Sequence, residues 1–153
     1  MKIILGTDHR GFDEKNRIKA ILIEKGFSVE DVGALEKNIA DDFPLYAKAV
    51  AVTLFEKQDG KGILFCGSGV GMSIVANKFP SVRAGLGFNV EQVKSARHDD
   101  DINVLIIPVD FLSEEVVNEI TYAFLHTPFS EEEKYIRRIK QISDIEQLTK
   151  TYE

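Results

Sequence analysis

Short apolar runs alternate with longer amphipathic stretches from one end of the chain to the other. Residues 2–5 form an apolar run ending at Gly6, and the stretch 14–25 places Ile18, Ile21 and Leu22 at helical spacing before Gly26 stops it. This predicts a first strand, loop and helix. Residues 27–32 alternate weakly and stop at Gly33, and 34–42 read as a polar loop. The stretch 43–57 carries a helix with Pro44 near its start, where a missing N–H costs nothing. A third strand over 62–65 precedes a helix over 70–78, halted by Phe79-Pro80. A strand over 82–87 is weakened by two glycines; a short helix over 90–97 and a strand over 103–108 follow. Ser113 reads as the N-cap of an apolar-faced helix running from Glu114 to about Leu125.

Five repeats of strand, loop and helix predict an α/β fold, with a parallel sheet covered by helices on both faces and ligands held outside the C-terminal ends of the strands. The loops after the first and third strands, which hold Asp8-His9-Arg10 and residues 66–71, then share one edge and one pocket. The segment 130–150 differs. Glu131-Glu132-Glu133 opens a helix in which Lys134, Arg137, Arg138 and Lys140 follow, while Ile139, Ile142, Ile145 and Leu148 form an apolar stripe. An amphipathic helix beyond a complete sheet predicts packing on a second subunit, and hence a homodimer or homotetramer.

The chain has 153 residues, 44% hydrophobic and 29% charged, which is the size and balance of one globular domain over 1–153. A formal net charge of −6 argues against a nucleic-acid surface, so an anionic ligand must be small and locally held. With a single cysteine and three histidines (His9, His98, His126) lacking ligand spacing, neither a disulfide nor a metal site is expected. No apolar stretch is long enough for a membrane span or a secretion signal, so the expected location is the cytoplasm.

The one cysteine, Cys66, stands where the third strand meets Gly67-Ser68-Gly69-Val70-Gly71. An isolated cysteine at a strand end is most often a small buried hydrophobe. The glycines change that reading, because they let backbone amides approach an anion and lead into a helix N-terminus that favours a thiolate. The GxGxG spacing after the third strand is not a dinucleotide fingerprint, and no GxxxxGK[ST] is present. Asp8 alone could simply cap the next helix. Together with His9 and Arg10 it makes an acid, a titratable donor and a cation suited to a phosphorylated substrate. Lys134 and Arg138 share a helix face that is ordinarily solvated, Asp99-Asp100-Asp101 reads as a solvated turn, and His126 as a surface residue at a helix end.

The segments Gly6-Thr7-Asp8-His9-Arg10-Gly11-Phe12, Asp31-Val32-Gly33, Asp42-Phe43-Pro44, the run from Cys66 to Ser73, Ala76-Asn77-Lys78, Val82-Arg83-Ala84 and Asn103-Val104-Leu105 occur in this order over nearly the whole chain. They resemble the type B ribose-5-phosphate isomerase and galactose-6-phosphate isomerase family. The resemblance implies a three-layer Rossmann-like fold and a dimer with sites between subunits. It further implies aldose-ketose isomerisation of a sugar phosphate without cofactor or metal, ribose 5-phosphate being favoured. In that scheme Cys66 removes the proton next to the carbonyl to give a cis-enediolate. Gly67, Ser68, Gly69, Val70 and Gly71 hold the oxyanion, Asp8 assists ring opening, His9 contacts the phosphate, and Asn77 and Asn103 support the site.

The sequence also departs from the family pattern. Where the family carries the ring-opening histidine stands Asp99, with His98 one place early. Asp99 could serve as that acid only with a raised pKa, and its acidic neighbours push in that direction. Asp110 aligns with a phosphate-binding arginine and Lys134 with the first of two C-terminal arginines, while Arg138 keeps the second. Two further readings follow: a cysteine-bearing subunit of a galactose-6-phosphate isomerase that needs a related partner chain, and a non-catalytic homologue that binds sugar phosphate.

Overall fold

The computed structural model describes residues 1–57 and 60–149. Its centre is a five-stranded, wholly parallel sheet built from β1 (Lys2–Thr7), β2 (Ser28–Asp31), β3 (Gly60–Cys66), β4 (Ala84–Leu86) and β5 (Val104–Pro108) in the order β2-β1-β3-β5-β4. The three central strands are apolar over most of their length because both faces are covered, as parallel sheets require. Ile3, Leu5, Ile63, Phe65, Leu105 and Ile107 point into one core. Ile4, Leu64, Cys66, Val104 and Ile106 alternate into the other.

The first core is closed by α1 (Phe12–Glu24), α4 (Val90–Asp100) and α5 (Glu114–His126) through Ile18, Leu22, Val93, Val117, Ile120 and Phe124. The second is closed by α2 (Phe43–Lys57) and α3 (Val70–Ala76) through Ala47, Val50, Leu54, Met72 and Ala76. This is the predicted three-layer α/β architecture. A Cβ on Gly62 would stand 2.8 Å from Val50 Cγ1 and one on Gly6 2.7 Å from Val50 Cγ2, so these glycines let α2 lie directly on β1 and β3.

Element ends follow local chemistry. The Ser113 hydroxyl accepts from Val116 N at 3.3 Å, and Asn89 caps α4 by accepting from Gln92 N at 2.9 Å. Asp101, in the left-handed region at φ 45°, ends α4. The predicted strand over 82–87 is shorter than expected, and the helix over 90–97 runs one turn longer. That turn takes Asp99 and Asp100 into the helix, so the acidic trio is a helix end with its cap and not a free turn. The third helix stops at Ala76, short of the predicted 78. The C-terminal helix α6 spans Glu133–Thr149, and its last predicted position, Lys150, lies outside the described residues. Among the described residues no helix is long and apolar enough to cross a membrane.

The sheet reverses its winding between β1 and β3, and their C-terminal ends flank the crevice where such folds bind ligands. Register pairs Thr7 with Phe65 and Cys66 with Pro108. The next residues of all three strands therefore emerge at one edge.

Candidate active site

Cys66 is 8% exposed at the end of β3, and its Sγ lies 3.2 Å from Asp8 Oδ2. Asp8 is extended (φ −90°, ψ −174°), so its carboxylate turns back to accept from Arg10 N at 3.0 Å and Gly11 N at 3.4 Å. It thus caps the one-turn 3-10 helix His9–Gly11 and also receives the cysteine S–H. The Thr7 hydroxyl, within 2.8 Å of Asp8 O and 3.0 Å of Phe65 O, ties the two strand ends together. A Cβ on Gly11 would stand 2.5 Å from Phe65 Cβ, so the chain after β1 can cross β3 only as glycine.

The glycine loop wraps the sulfur. Gly69 holds φ 76° to start α3, and the amides of Gly67 and Gly69 both favour a negative sulfur. They do not prevail. Burial first, then the hydrogen bond to Asp8 and its charge, push the thiol up to about 11. The thiolate expected from the glycine loop and helix dipole is therefore corrected: the resting group is a thiol donating to a carboxylate, above a helix of only seven residues. Ser68 is exposed on the loop, where its Oγ accepts from Val70 N at 3.4 Å, and Gly71 packs under the Phe43 ring.

The two other expected ligands after β1 are held by acids. Arg10 Nη2 is ion-paired with Asp110 Oδ2, and Asp110 N donates to Gly67 O at 3.2 Å. Both side chains crowd Gly67, where a Cβ would meet Asp110 Oδ2 at 2.8 Å and Arg10 Nε at 3.1 Å. His9 Nδ1 lies 2.6 Å from Asp41 Oδ1, and the side-chain exposures of the pair are 27% and 5%.

The remaining predicted residues lie at the opposite edge of the sheet. Helices α3 and α4 begin at the Cys66 edge and run antiparallel to the strands, so their C-termini fall where β4 and β5 begin. The seven-residue β3 separates the two edges by about 20 Å. Asn77 ends α3 there, its side chain bonded to Ser73 O, Ala84 O and Ala84 N. Asn103 bonds Arg83 N and Ser81 O. Both brace backbone within this chain and do not reach the Cys66 loop. His98 and Asp99 pair with each other at 2.7 Å, and the imidazole meets the Tyr135 ring edge-on at 5.8 Å. Lys134 pairs with Glu132 at 3.1 Å and stands 4.5 Å above the Tyr135 ring, while Arg138 is 5.6 Å from the same ring.

The electrostatics of the acidic trio also differ from expectation. Hydrogen bonding to His98, then to Tyr135, holds Asp99 below the ordinary carboxylate range, so it is an ionised group and not a proton donor. Burial and the neighbouring Asp99 charge instead raise Asp100. Asp101 is taken by Arg83 and Arg97, each at 2.7 Å.

A family model described as Ribose/Galactose Isomerase matches residues 3–142. Ribose-5-phosphate isomerase B of Escherichia coli (strain K12) is 36% identical over 146 residues, covering 95% of this chain and 97% of that one. A putative sugar phosphate isomerase of Rickettsia bellii is 35% identical, covering 90% and 95%. Ribose-5-phosphate isomerase B from Mycoplasma genitalium, solved with bound ribulose-5-phosphate, superposes with a TM-score of 0.91 at 33% identity, covering 95% and 96%. The chain belongs to the Ribose/Galactose Isomerase family of sugar-phosphate isomerases.

Among ribose/galactose isomerases the cysteine, the glycine loop and Asp8 are the motifs that first tied the sequence to the family, and they are the residues the fold brings into contact. Sequence reasoning missed Asp41. It precedes the quoted Asp42-Phe43-Pro44, and nothing local links it to His9, which is 32 positions away. It also missed Tyr46, whose pKa is raised by burial and then by the Asp41 charge. Among the described residues no group of three or more His, Cys, Asp or Glu is arranged to hold a metal.

Proposed function

We propose that the chain interconverts an aldose phosphate and its ketose isomer through a cis-enediolate, with ribose 5-phosphate the favoured substrate and Cys66 the carbon base. The observation that carries this reading is the Cys66–Asp8 contact beside the glycine loop. The thiol passes its proton to Asp8, and the thiolate takes the proton from C2 of the open-chain aldose. The charge that develops on the enediolate oxygen meets the amides of Gly67–Gly71 and the Ser68 hydroxyl. Such preorganised donors are worth about 10²–10³ in kcat each. The O2 hydroxyl proton passes to O1 of the enediolate, the proton held by Cys66 returns to C1 as the C2=O2 double bond forms, and the product is the ketose.

A second copy completes the site in this reading. Lys134 and Arg138, which supply cations for the phosphate, lie within one chain at the sheet edge opposite Cys66, and so do His98, Asp99 and Asn103. Helix α6 also exposes Ile136, Ile142 and Ile145 at 51%, 42% and 61%. Burying that stripe against a partner seats a helix carrying Lys134 and Arg138 over a neighbouring cleft. The Arg10–Asp110 pair supports the reading of a cysteine-bearing subunit of a galactose-6-phosphate isomerase, because it neutralises the cation that stands beside the Cys66 loop.

Isomerisation of ribose 5-phosphate and galactose 6-phosphate by the purified single chain, with Cys66→Ser as control, tests both. Turnover by wild type and a loss of at least about 10³-fold in the variant is expected, since the thiolate is the only carbon base proposed. Equal turnover by both proteins removes the thiol mechanism. A silent single chain that gains activity with a related chain selects the hetero-oligomer.

A further inference from the structure

The family expectation gives His9 a phosphate contact and leaves ring opening to Asp99 or His98, with Asp8 assisting. Asp99 is ionised and both lie at the far edge of their own chain. At the Cys66 edge stands a different arrangement. His9 follows Asp8 directly, and its Nδ1 faces a carboxylate with 5% side-chain exposure at 2.6 Å. The other oxygen of that carboxylate, Asp41 Oδ2, is buried, and the carboxylate also acts on the Tyr46 hydroxyl. An ionised carboxylate only accepts, so Nδ1 carries the hydrogen and Nε2 is left as the working nitrogen. A carboxylate buried against an imidazole at 2.6 Å, with Tyr46 close enough to feel its charge, is the arrangement that fixes a tautomer and ring orientation for proton transfer. A surface histidine that merely touches a phosphate has no need of it, because either nitrogen can donate.

We propose that His9, oriented by Asp41, is the proton shuttle that opens the sugar ring. In a furanose aldose phosphate the anomeric hydroxyl oxygen O1 and the ring oxygen O4 are both bonded to C1, so one imidazole nitrogen reaches both. Nε2 takes the O1 proton as the C1=O1 double bond forms. The electron pair of the breaking C1–O4 bond goes to O4, which receives that same proton from Nε2. The imidazole ends as it began, and the open aldehyde is delivered to Cys66, one strand away. Asp41 touches no substrate atom and is a positioning residue. This inference rests on the sugar-phosphate isomerase reading above.

The test compares wild type, Asp41→Asn and His9→Gln on ribose 5-phosphate and on erythrose 4-phosphate, a four-carbon aldose phosphate that cannot close the ring. It adds imidazole ¹⁵N NMR of the free protein. Asp41→Asn is expected to lower kcat on ribose 5-phosphate about 10–100-fold with little change in KM. It should spare the four-carbon sugar and move the His9 signals away from the Nδ1–H tautomer, and His9→Gln should repeat the kinetic pattern. A rise in KM at constant kcat means a phosphate contact and overturns the proposal. Equal loss on both sugars, or a wild-type spectrum showing the Nε2–H tautomer, also overturns it. Wild type inert on both sugars removes the reading of the single chain as a ribose 5-phosphate isomerase and the shuttle with it, whereas an active wild type failing any of these arms removes only the shuttle.

Discussion

At the scale of single residues, the cysteine is governed by a balance of opposing effects. The amides of Gly67 and Gly69 favour the thiolate, but burial and the Asp8 carboxylate outweigh them and leave the thiol near 11. Alkylation of Cys66 by iodoacetamide should therefore climb steadily from pH 7 to 10 without levelling off. Asp8→Asn removes both the charge and the acceptor that raise this group, so alkylation at pH 8 should accelerate, and by about tenfold for each unit that the pKa falls. Unchanged alkylation in the variant would mean that Asp8 does not set the thiol. The same shift acts on stability. The folded pKa lies above the ordinary thiol value of 9.0, so the folded state holds the proton more tightly. Stability is intact below pH 9 and declines between about 9 and 11. Arg10 gives a second residue-scale prediction: Asp110→Asn frees its guanidinium beside Gly67, and KM for the sugar phosphate should fall, by about three- to tenfold for one exposed charge pair. A constant or higher KM would place the phosphate away from Arg10.

At the scale of elements, the repeat of strand and helix was legible because both faces of a parallel sheet demand apolar runs and amphipathic helices, and this signal needs no knowledge of partners. Helix α2 was read over 43–57, where it lies, since Pro44 and the apolar spacing agree. The end of α4 was not legible: Asp99 and Asp100 are poor helix formers, and they remain helical because Arg97 and Arg83 bind the Asp101 cap. Lys15 was equally hidden. Its spacing on α1 is that of a core position, and its Nζ is fully buried against Asp31 at 2.7 Å and Ala34 O at 2.7 Å, with Lys19 on the other Asp31 oxygen at 2.9 Å. Burial pushes the Asp31 carboxyl up, yet the two lysines and Gly33 N hold it below the ordinary range. The pair ties α1 to the end of β2 and the loop that follows. Asp31→Asn strands a buried ammonium and should cost about 3–5 kcal/mol in chemical denaturation. Replacing Lys15 and Asp31 together with Met and Leu should recover most of that. For the wild type, the carboxylate's contribution is present above the unfolded value of 3.8 and is lost as the pH falls through the lower, folded value.

At the scale of the whole molecule, one geometric fact organises the candidate site. Residues that the motifs placed together are split between the two edges of one sheet, with Cys66, Asp8, His9 and Arg10 at one and His98, Asp99, Asn103, Lys134 and Arg138 at the other. The motifs named the residues but carried no information on which edge holds each, because strand direction is a property of the fold. If sites form between copies, a Cys66→Ser chain and a Lys134→Ala/Arg138→Ala chain are each impaired alone, yet a mixed dimer places both lesions in one site and leaves the other intact. Random pairing of equal amounts makes half the dimers hybrid with one good site each, so about a quarter of wild-type activity per chain should return after unfolding and refolding together. Sites confined to single chains would instead give the mean of the two parents. The apolar stripe of α6 supplies the control. Ile142→Asp with Ile145→Asp places two charges on the surface proposed to be buried, so the mixture carrying them should elute as monomer and show no recovery. A dimer that survived these substitutions with complementation intact would move the interface off α6, while leaving the exchange of residues between copies standing.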